Sequence, residues 1–215
     1  MKKLFIFFLL LFTGFPSFGQ FGFGTVGGFD FYQRYKNPVD NIAYPASGNA
    51  LLNFIYGPKI WIGSKKFSVS LEGQINLGLT SFALKDYKGL GAVSFPIIGK
   101  LNFKGLSGFH TGFATGFSLG GGIQWSKTEL FYLDNKYKNE KVVREFFDVI
   151  FGQIDIGVGS FGTDGSVYVR YGYNPDNKAK VLNIGMVFNS NKTFKKKMKK
   201  LGNPPEPPPP LPVIE

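Results

Sequence analysis

The feature that most constrains the fold is a strict alternation of residue types along residues 109–125, FHTGFATGFSLGGGIQW. The odd positions are mainly Phe, Thr, Leu, Ile and Trp, and the even positions are His, Gly, Ala, Ser and Gln. A period of two predicts a β-strand with one apolar face and one small or polar face. The run of 17 residues is long, since strands of soluble domains mostly contain about five or six residues.

The same alternation recurs along the chain. Between residues 67 and 79, Phe, Val, Leu and Ile alternate with Ser, Glu, Gln and Asn. The aromatic content of 17% also favours strands over helices. We predict eight strands, at residues 21–34, 50–62, 67–82, 90–103, 109–126, 146–160, 165–173 and 180–188.

The connections between these strands alternate in length. Short turns such as GSKK, KGLSG and GTDG alternate with longer polar segments such as YKNPVDNIAYPASGN and TELFYLDNKYKNEKVVRE. Outer-membrane barrels have short periplasmic turns and long external loops. The sequence therefore predicts an all-β fold, an eight-stranded antiparallel up-and-down transmembrane β-barrel, with its apolar face toward lipid and its small or polar face toward the lumen.

The two ends of the chain differ in composition from the predicted barrel. Residues 1–19 combine two lysines with a short apolar run and small residues, which is typical of a secretory signal peptide. Its removal lowers the formal net charge from +11 to +9. The absence of cysteine excludes a disulfide framework and thiol chemistry. We expect a removed signal peptide at 1–19, a barrel at 20–188, and a disordered tail at 189–215 that is first Lys-rich and then Pro-rich.

Residues 93–103, VSFPIIGKLNF, combine a proline, neighbouring aliphatic residues and a lysine. This segment resembles a strand of the PorT-like outer-membrane β-barrel family of Bacteroidetes. The ending FGQ of the predicted signal peptide, the lack of cysteine and the spacing of eight strands are similar to that family as well. The resemblance implies a barrel fold and an outer-membrane location. It implies no activity, because the family is functionally diverse.

Charged residues also fall on the predicted inward faces. Charges in a narrow lumen must be paired, so we expect a salt-bridge network that closes the barrel; a small selective pore is the alternative. Glycine and serine on the inner face of residues 109–126 are expected to leave room for Tyr168 and Arg170. The predicted lumen charge network consists of Asp30, Arg34, Lys59, Glu72, Lys100, Asp155 and Arg170.

The tail suggests an interaction on the periplasmic side. With an even number of strands, both mature termini are predicted to be periplasmic, and the Pro-rich half should extend as a polyproline spacer. The expected partners are outer-membrane lipid and, through the tail, peptidoglycan or periplasmic envelope proteins. Nucleic acid is not expected after export. The residues predicted to contact an anionic surface are Lys195, Lys196, Lys197, Lys199 and Lys200.

The function expected from these features is that of a non-enzymatic outer-membrane protein of a Gram-negative bacterium, with a structural, envelope-assembly or secretion-assembly role and without cofactor or metal. Two alternatives stay open. A lipid-modifying barrel enzyme could use His110, the single histidine, together with Ser118 and Asp155. A soluble exported barrel could instead bind a small apolar ligand, in which case the Phe-rich faces must point inward.

Overall fold

A computed structural model describes residues 20–37, 46–82, 90–108, 112–131 and 144–193. These residues form β-strands and one short 3-10 turn, Gly105–Ser107. None of the helical structure in the described ranges is long and apolar enough to cross a membrane. The strands are β1 (Gln20–Asn37), β2 (Ala46–Gly63), β3 (Phe67–Gly73), β4 (Ile75–Phe82), β5 (Leu90–Lys104), β6 (Ala114–Phe131), β7 (Phe147–Ser160), β8 (Thr163–Tyr173) and β9 (Lys180–Thr193).

The strands close into a ring because β1 pairs with both β2 and β9. Every neighbouring pair around the ring is antiparallel. Both β3 and β4 pair with β2 on one side and β5 on the other, so they share one of eight positions in the ring. The predicted all-β, eight-stranded antiparallel up-and-down barrel is confirmed.

The predicted strand 67–82 is divided at Gln74, which lies between β3 and β4. The cause lies in the neighbouring strand, where Pro96 has no backbone N–H to donate to the ladder. One hydrogen bond remains there, from the Gln74 backbone N–H to the Pro96 carbonyl at 2.8 Å. The alternation nevertheless continues across the break, since Glu72, Gln74 and Asn76 are all buried.

Two strands differ by five residues from the predicted bounds at one or both ends, and the others differ by less. The strand predicted at 109–126 begins at Ala114 and extends to Phe131, and residues 109–111 lie outside the described residues. The last strand continues beyond residue 188 to Thr193, where it pairs with Gly22 of β1. The two C-terminal extensions, to Phe131 and to Thr193, contain polar residues and lysines that interrupt the sequence pattern, although pairing with a neighbouring strand continues there.

A β-bulge in β1 reverses the direction of the side chains that follow it. The register with β9 shifts between Asp30 and Tyr32, which leaves Phe31 as the extra residue. Asp30 before the bulge is buried, but after the bulge the buried residues are Gln33 and Tyr35. The predicted inward position of Arg34 is therefore wrong: its side chain is exposed on the outer surface.

Side chains in the barrel are distributed with polar groups inside and apolar groups outside. Phe117, Leu77 and Ile184 are 42%, 50% and 37% exposed. By contrast, Glu72 and Arg170 are completely buried. Among the described residues, the buried polar and charged side chains outnumber the buried hydrophobic ones. The predicted alternation of outward apolar and inward polar residues is present in the strands, although some inward positions, such as Val26 and Val149, are apolar.

The glycines of β6 have a different role from the one predicted. A Cβ at Gly120 would lie 2.9 Å from the Cγ of Lys100, and a Cβ at Gly122 would lie 1.8 Å from the Ile97 carbonyl oxygen. Glycine is thus required by the close approach of β5 and by the Lys100 side chain. We had expected these glycines to make room for Tyr168 and Arg170, but the atoms nearest to an added Cβ at Gly120 and Gly122 belong to β5.

Candidate functional site

The centre of the lumen is occupied by a charge cluster built around Glu72. Lys59 lies directly opposite Glu72 in the β2–β3 register, and its Nζ is 3.6 Å from Glu72 Oε1. Lys100 Nζ of β5 is 3.2 Å from Glu72 Oε2 and 3.2 Å from Asp155 Oδ1. Two lysines and two carboxylates from four strand positions are therefore paired in the interior, which reduces the cost of burying each charge.

The contact between Lys100 and Asp155 crosses strand β6. Gly120 of β6 pairs in register with Lys100 on one side and with Gln153 on the other. Because Gly120 has no side chain, the Lys100 methylene chain can pass over it to reach Asp155 on β7. The glycine in the β6 sequence is thus part of the charge cluster.

Arg170 is held by amide side chains. Its Nε donates to Gln153 Oε1 at 2.8 Å, Nη1 to Gln124 Oε1 at 3.1 Å, and Nη2 to Gln74 Oε1 at 3.1 Å. The guanidinium also lies over the Phe151 ring, 4.7 Å from its centroid. No carboxylate among the described residues lies within ion-pair distance of it.

The amides connect Arg170 to the charge cluster. Gln74 Nε2 donates to Glu72 Oε2 at 3.1 Å, and Gln153 Nε2 donates to Asp155 Oδ1 at 2.9 Å. The contacts form a closed circuit through the lumen, which we call the lumen circuit. Its members are Glu72, Lys100, Asp155, Gln153, Arg170 and Gln74.

A second centre surrounds Asp30. Its carboxylate accepts hydrogen bonds from the Tyr168 hydroxyl, from Asn183 Nδ2 at 2.7 Å and from Asn53 Nδ2 at 3.3 Å. Tyr168 also lies beside Arg170, whose Cζ is 5.2 Å from the ring centroid. The two centres are therefore adjacent, and a change in one is expected to disturb the other.

Two further polar groups lie toward the ends of the barrel. Asp164 accepts from Asn189 at 2.5 Å and from Asn191 at 2.7 Å, close to the turn at residues 161–162. At the opposite end, Arg144 donates through Nε to Glu129 Oε2 at 2.8 Å. We call the end with Asp164 the turn end and the end with Arg144 the loop end.

The buried charged side chains of the described residues are five acids and four bases. They are Asp30, Glu72, Glu129, Asp155, Asp164, Lys59, Lys100, Arg144 and Arg170.

The structure brings most of the predicted charge set together. Lys59, Glu72, Lys100 and Asp155 are in direct contact, Arg170 joins them through amides, and Asp30 lies beside Tyr168 and Arg170. Arg34 is the exception, for the reason given above. The sequence analysis did not find Asp164, Glu129 or Arg144. Asp164 precedes the predicted start of its strand, and Glu129 lies beyond the predicted end of its strand and itself has a positive φ of 55°.

The groups considered for catalysis have other contacts. The Ser118 hydroxyl donates to Asn102 Oδ1 at 2.8 Å, and Asp155 is engaged by Lys100 and Gln153. His110 lies outside the described residues, as do the tail lysines Lys195, Lys196, Lys197, Lys199 and Lys200. Within the described ranges, no cluster of His, Cys, Asp and Glu could hold a metal ion.

The loop end of the lumen contains a small hydrophobic cluster in addition to the Glu129–Arg144 pair. Its members come from β1, β7, β9 and the segment before β9, and they are Tyr35, Phe147, Val149, Ala179 and Val181. Each of these residues is almost completely buried. The hydrophobic cluster and the lumen circuit both occupy the barrel interior, and eight strands enclose a space that side chains can nearly fill.

The outer surface has the opposite chemistry. Along β6, the outward residues from Phe117 to Trp125 include Leu119 and Ile123, and all four are at least 40% exposed. Near the turn end, the rings of Phe103 and Phe117 stack with centroids 4.6 Å apart, and Phe67 contacts Phe103 at 5.2 Å. The charged side chains of the described residues that are not buried lie at the two rims: Lys65, Lys66, Lys104 and Lys192 at the turn end, and Arg34, Lys36, Lys127, Glu145, Asp148, Asp176, Lys178 and Lys180 at the loop end.

No protein-family model and no curated protein matches the chain. Among solved structures, it is similar to Neisserial surface protein A, with 12% identity, a TM-score of 0.40, and coverage of 79% of this chain and 96% of that one. It is similar to the N-terminal β-barrel domain of OprF from Pseudomonas aeruginosa, with 9% identity, a TM-score of 0.36, and coverage of 78% and 98%.

A third similar structure is Ail, the attachment invasion locus protein of Yersinia pestis, in complex with the heparin analogue sucrose octasulfate. The identity is 10% and the TM-score is 0.41, with coverage of 80% of this chain and 99% of that one. Likeness at this level assigns no family, activity or ligand to the chain. The function is therefore argued from the geometry of the barrel itself.

Proposed function

We propose that the protein is an integral outer-membrane β-barrel of a Gram-negative bacterium with a closed lumen and a structural, envelope-assembly or secretion-assembly role, without enzymatic activity. The observation that carries this proposal is the inverted distribution of side chains. Charged residues such as Glu72 and Arg170 are completely buried, whereas Ile154 and Ile156 are 56% and 69% exposed. Such a surface is unfavourable in water but suits the hydrocarbon of a bilayer.

The dimensions of the apolar surface support a membrane location. Outward apolar residues extend from Phe54 to Ile62 on β2 and from Phe117 to Trp125 on β6, nine residues in each case. A transmembrane strand needs about 9 to 11 tilted residues. The confinement of outward charges to the two rims and the aromatic contacts near the turn end are also typical of membrane barrels.

The contacts in the lumen support a closed barrel rather than a pore. The lumen circuit connects β3, β5, β7 and β8 across the interior. Within it, Gln74 is hydrogen-bonded to both Glu72 and Arg170. Among the described residues, the numbers of buried acids and bases are nearly balanced, so these side chains do not form a ring of one charge sign such as lines some ion-selective pores. The hydrophobic cluster at Tyr35 and Val181 closes the loop end.

The topology supports a particular orientation in the membrane. β1 begins and β9 ends at the same end of the barrel, because Gly22 pairs with Thr193, and the two-residue turn at residues 161–162 lies at that end. Short turns are periplasmic in outer-membrane barrels, so we place the turn end and both mature termini in the periplasm. The tail would then meet peptidoglycan or envelope proteins. Membership of the PorT-like family of Bacteroidetes is part of this proposal and depends on residues 93–103.

The test combines localisation with conductance. Full-length protein should sediment with outer membranes, resist carbonate extraction, and migrate differently on gels with and without heating. In planar bilayers it should produce little steady conductance. Recovery in the soluble periplasmic fraction would contradict the membrane location, and large stable channels would contradict the closed lumen.

A further inference from the structure

Three cationic side chains lie together on the outer surface at the loop end. Lys36 of β1 and Lys180 of β9 are directly opposite each other in the antiparallel register. Arg34 lies two residues before Lys36, so it projects from the same face of β1. All three side chains are exposed. We call Arg34, Lys36 and Lys180 the outer basic cluster.

The arrangement brings like charges together, and a bound anion would relieve their repulsion. Residues directly opposite in an antiparallel pair have Cβ atoms about 4.5 to 5.5 Å apart, and like charges at that distance destabilise the sheet. The ion pairs formed by the described residues do not include any of the three cations. Lys180 makes one aromatic contact, with its Nζ 5.5 Å from the centroid of the Tyr173 ring, which adds no negative charge.

A groove with polar and apolar lining residues lies beside the cluster. This groove of about 840 Å³ is lined by the cluster together with Tyr32, Asn49, Tyr171 and Leu182. The Tyr32 hydroxyl donates to Asn49 Oδ1 at 2.9 Å, which fixes polar groups next to the cations. Toward the middle of the barrel, the surface continues with apolar residues such as Ile184. Cations therefore lie at the rim, and apolar surface lies just below them.

We infer that the outer basic cluster binds the phosphate group of a membrane lipid in the leaflet at the loop end. A phosphomonoester carries about 1.5 to 2 negative charges near neutral pH, which matches three neighbouring cations. Arginine and lysine are the side chains that bind phosphate oxygens through charge-assisted hydrogen bonds. The apolar surface that continues from Leu182 to Ile184 accounts for a lipid rather than a free anion. The inference rests on the proposed membrane location.

The first experiment measures lipid retention by the full-length protein. The protein is reconstituted in phosphatidylcholine nanodiscs containing a minor fraction of phosphatidic acid, extracted into a neutral detergent, and examined by native mass spectrometry. We expect wild-type protein to retain phosphatidic acid in preference to phosphatidylcholine. The variant Arg34→Gln/Lys36→Gln/Lys180→Gln should retain roughly tenfold less, because the charge-assisted contacts to phosphate are lost.

The matched control removes the same number of charges from the other rim. The variant Lys65→Gln/Lys66→Gln/Lys192→Gln alters three exposed lysines at the turn end and should retain phosphatidic acid like the wild type. Equal loss in both triple variants, or loss in neither, would overturn the inference. Competition by inorganic phosphate as effective as that by phosphatidic acid would show a site for a free anion and would overturn the lipid assignment.

A second measurement uses the single variant Lys180→Gln, which keeps the rest of the cluster. In pure phosphatidylcholine the variant should unfold at the same or a higher temperature than the wild type, since the repulsion from Lys36 is removed. With phosphatidic acid present, it should unfold at a lower temperature than the wild type. A shift of the same sign in both lipids would contradict the inference. Failure of wild-type protein to enter nanodiscs at all would instead contradict the proposed membrane location.

Discussion

Alternate residues of β7 meet opposite surroundings. Gln153 and Asp155 are buried and bonded to Arg170 and Lys100, while their neighbour Ile154 is 56% exposed on the outer surface. In the proposed membrane location, an outward position only has to be apolar, because lipid provides similar contacts to any hydrocarbon side chain. An inward position needs a particular partner, since an unpaired buried charge is costly. The effect of an inward substitution on the free energy of unfolding should therefore depend on the partner of the replaced side chain. The effect of an outward substitution should depend on the polarity of the new side chain and on its depth in the membrane.

The largest effect is expected when one member of the central charge cluster is removed. Glu72→Ala leaves Lys59 and Lys100 without the carboxylate that lies 3.6 Å and 3.2 Å from them. Breaking a buried pair costs about 3 to 5 kcal/mol, so we expect the free energy of unfolding to fall by that amount. Denaturant titration of folded protein in detergent, followed by tryptophan fluorescence, measures it.

The control for this prediction replaces the partners as well. The variant Lys59→Met/Glu72→Met/Lys100→Met removes both lysines with the carboxylate, although it also leaves Asp155 without Lys100. It should recover part of the stability lost in Glu72→Ala, because matched apolar replacements of buried charges are often tolerated. If Glu72→Ala alone left the free energy of unfolding unchanged, the prediction would be wrong, and the lumen would be too hydrated for these ion pairs to contribute to stability.

The next effect concerns the outer surface. Ile154→Arg places a charge near the middle of β7, whereas Ser190→Arg places one on the exposed outer face of β9 near the turn end. The expected cost is about 2 to 4 kcal/mol for Ile154→Arg and about 0 to 1 kcal/mol for Ser190→Arg, since the penalty decreases from the bilayer midplane to the interface. Unfolding in lipid vesicles measures both. Equal tolerance would contradict a membrane-facing surface.

A smaller effect should separate inward from outward glycines. An added Cβ at Gly120 would lie 2.9 Å from Lys100 Cγ, whereas a Cβ at Gly152 would have nothing within 4 Å. Gly120→Ala should cost about 1 to 3 kcal/mol through overpacking, and Gly152→Ala should be neutral or slightly stabilising. The same denaturant titration compares them, and similar values for the two variants would argue against the crossing of Lys100 over β6.

Much of the fold could be predicted from sequence because alternation is encoded locally. The period of two within each strand distinguishes its inner face from its outer face, and it predicts the inward placement of Glu72 and Arg170. The number of alternating segments predicts the eight positions of the ring. The bulge at Phe31 could not be predicted, since it depends on how β1 pairs with β9. One extra residue reversed the face of Arg34 and placed it in the outer basic cluster.

The sequence predicted which residues lie in the lumen better than it predicted which of their side chains contact one another. The contact between Lys100 and Asp155 depends on the register that places Gly120 between their strands. Register is a property of strand pairs, and a single sequence without pairing information does not contain it. The Glu129–Arg144 pair was hidden for a related reason, because Glu129 has a positive φ and interrupts the alternation of β6.

The smallest effect is expected at the C-terminus, where the strand and the predicted tail meet. Asn191 belongs to the barrel: its backbone N–H donates to the Gly162 carbonyl at 2.7 Å, and its Nδ2 donates to Asp164 at 2.7 Å. Truncation after Thr193 keeps these bonds and should change the free energy of unfolding by less than about 0.5 kcal/mol. Truncation after Asn189 removes them and should lower the free energy of unfolding by about 1 to 3 kcal/mol, because a buried carboxylate loses a donor.

Heat-modifiable mobility and denaturant titration of both truncations test these expected changes in stability, and co-sedimentation with peptidoglycan tests the role of the tail. If truncation after Thr193 prevented insertion, residues 194–215 would belong to the fold; if it changed neither insertion nor co-sedimentation, the tail would have no role in contacting the cell wall.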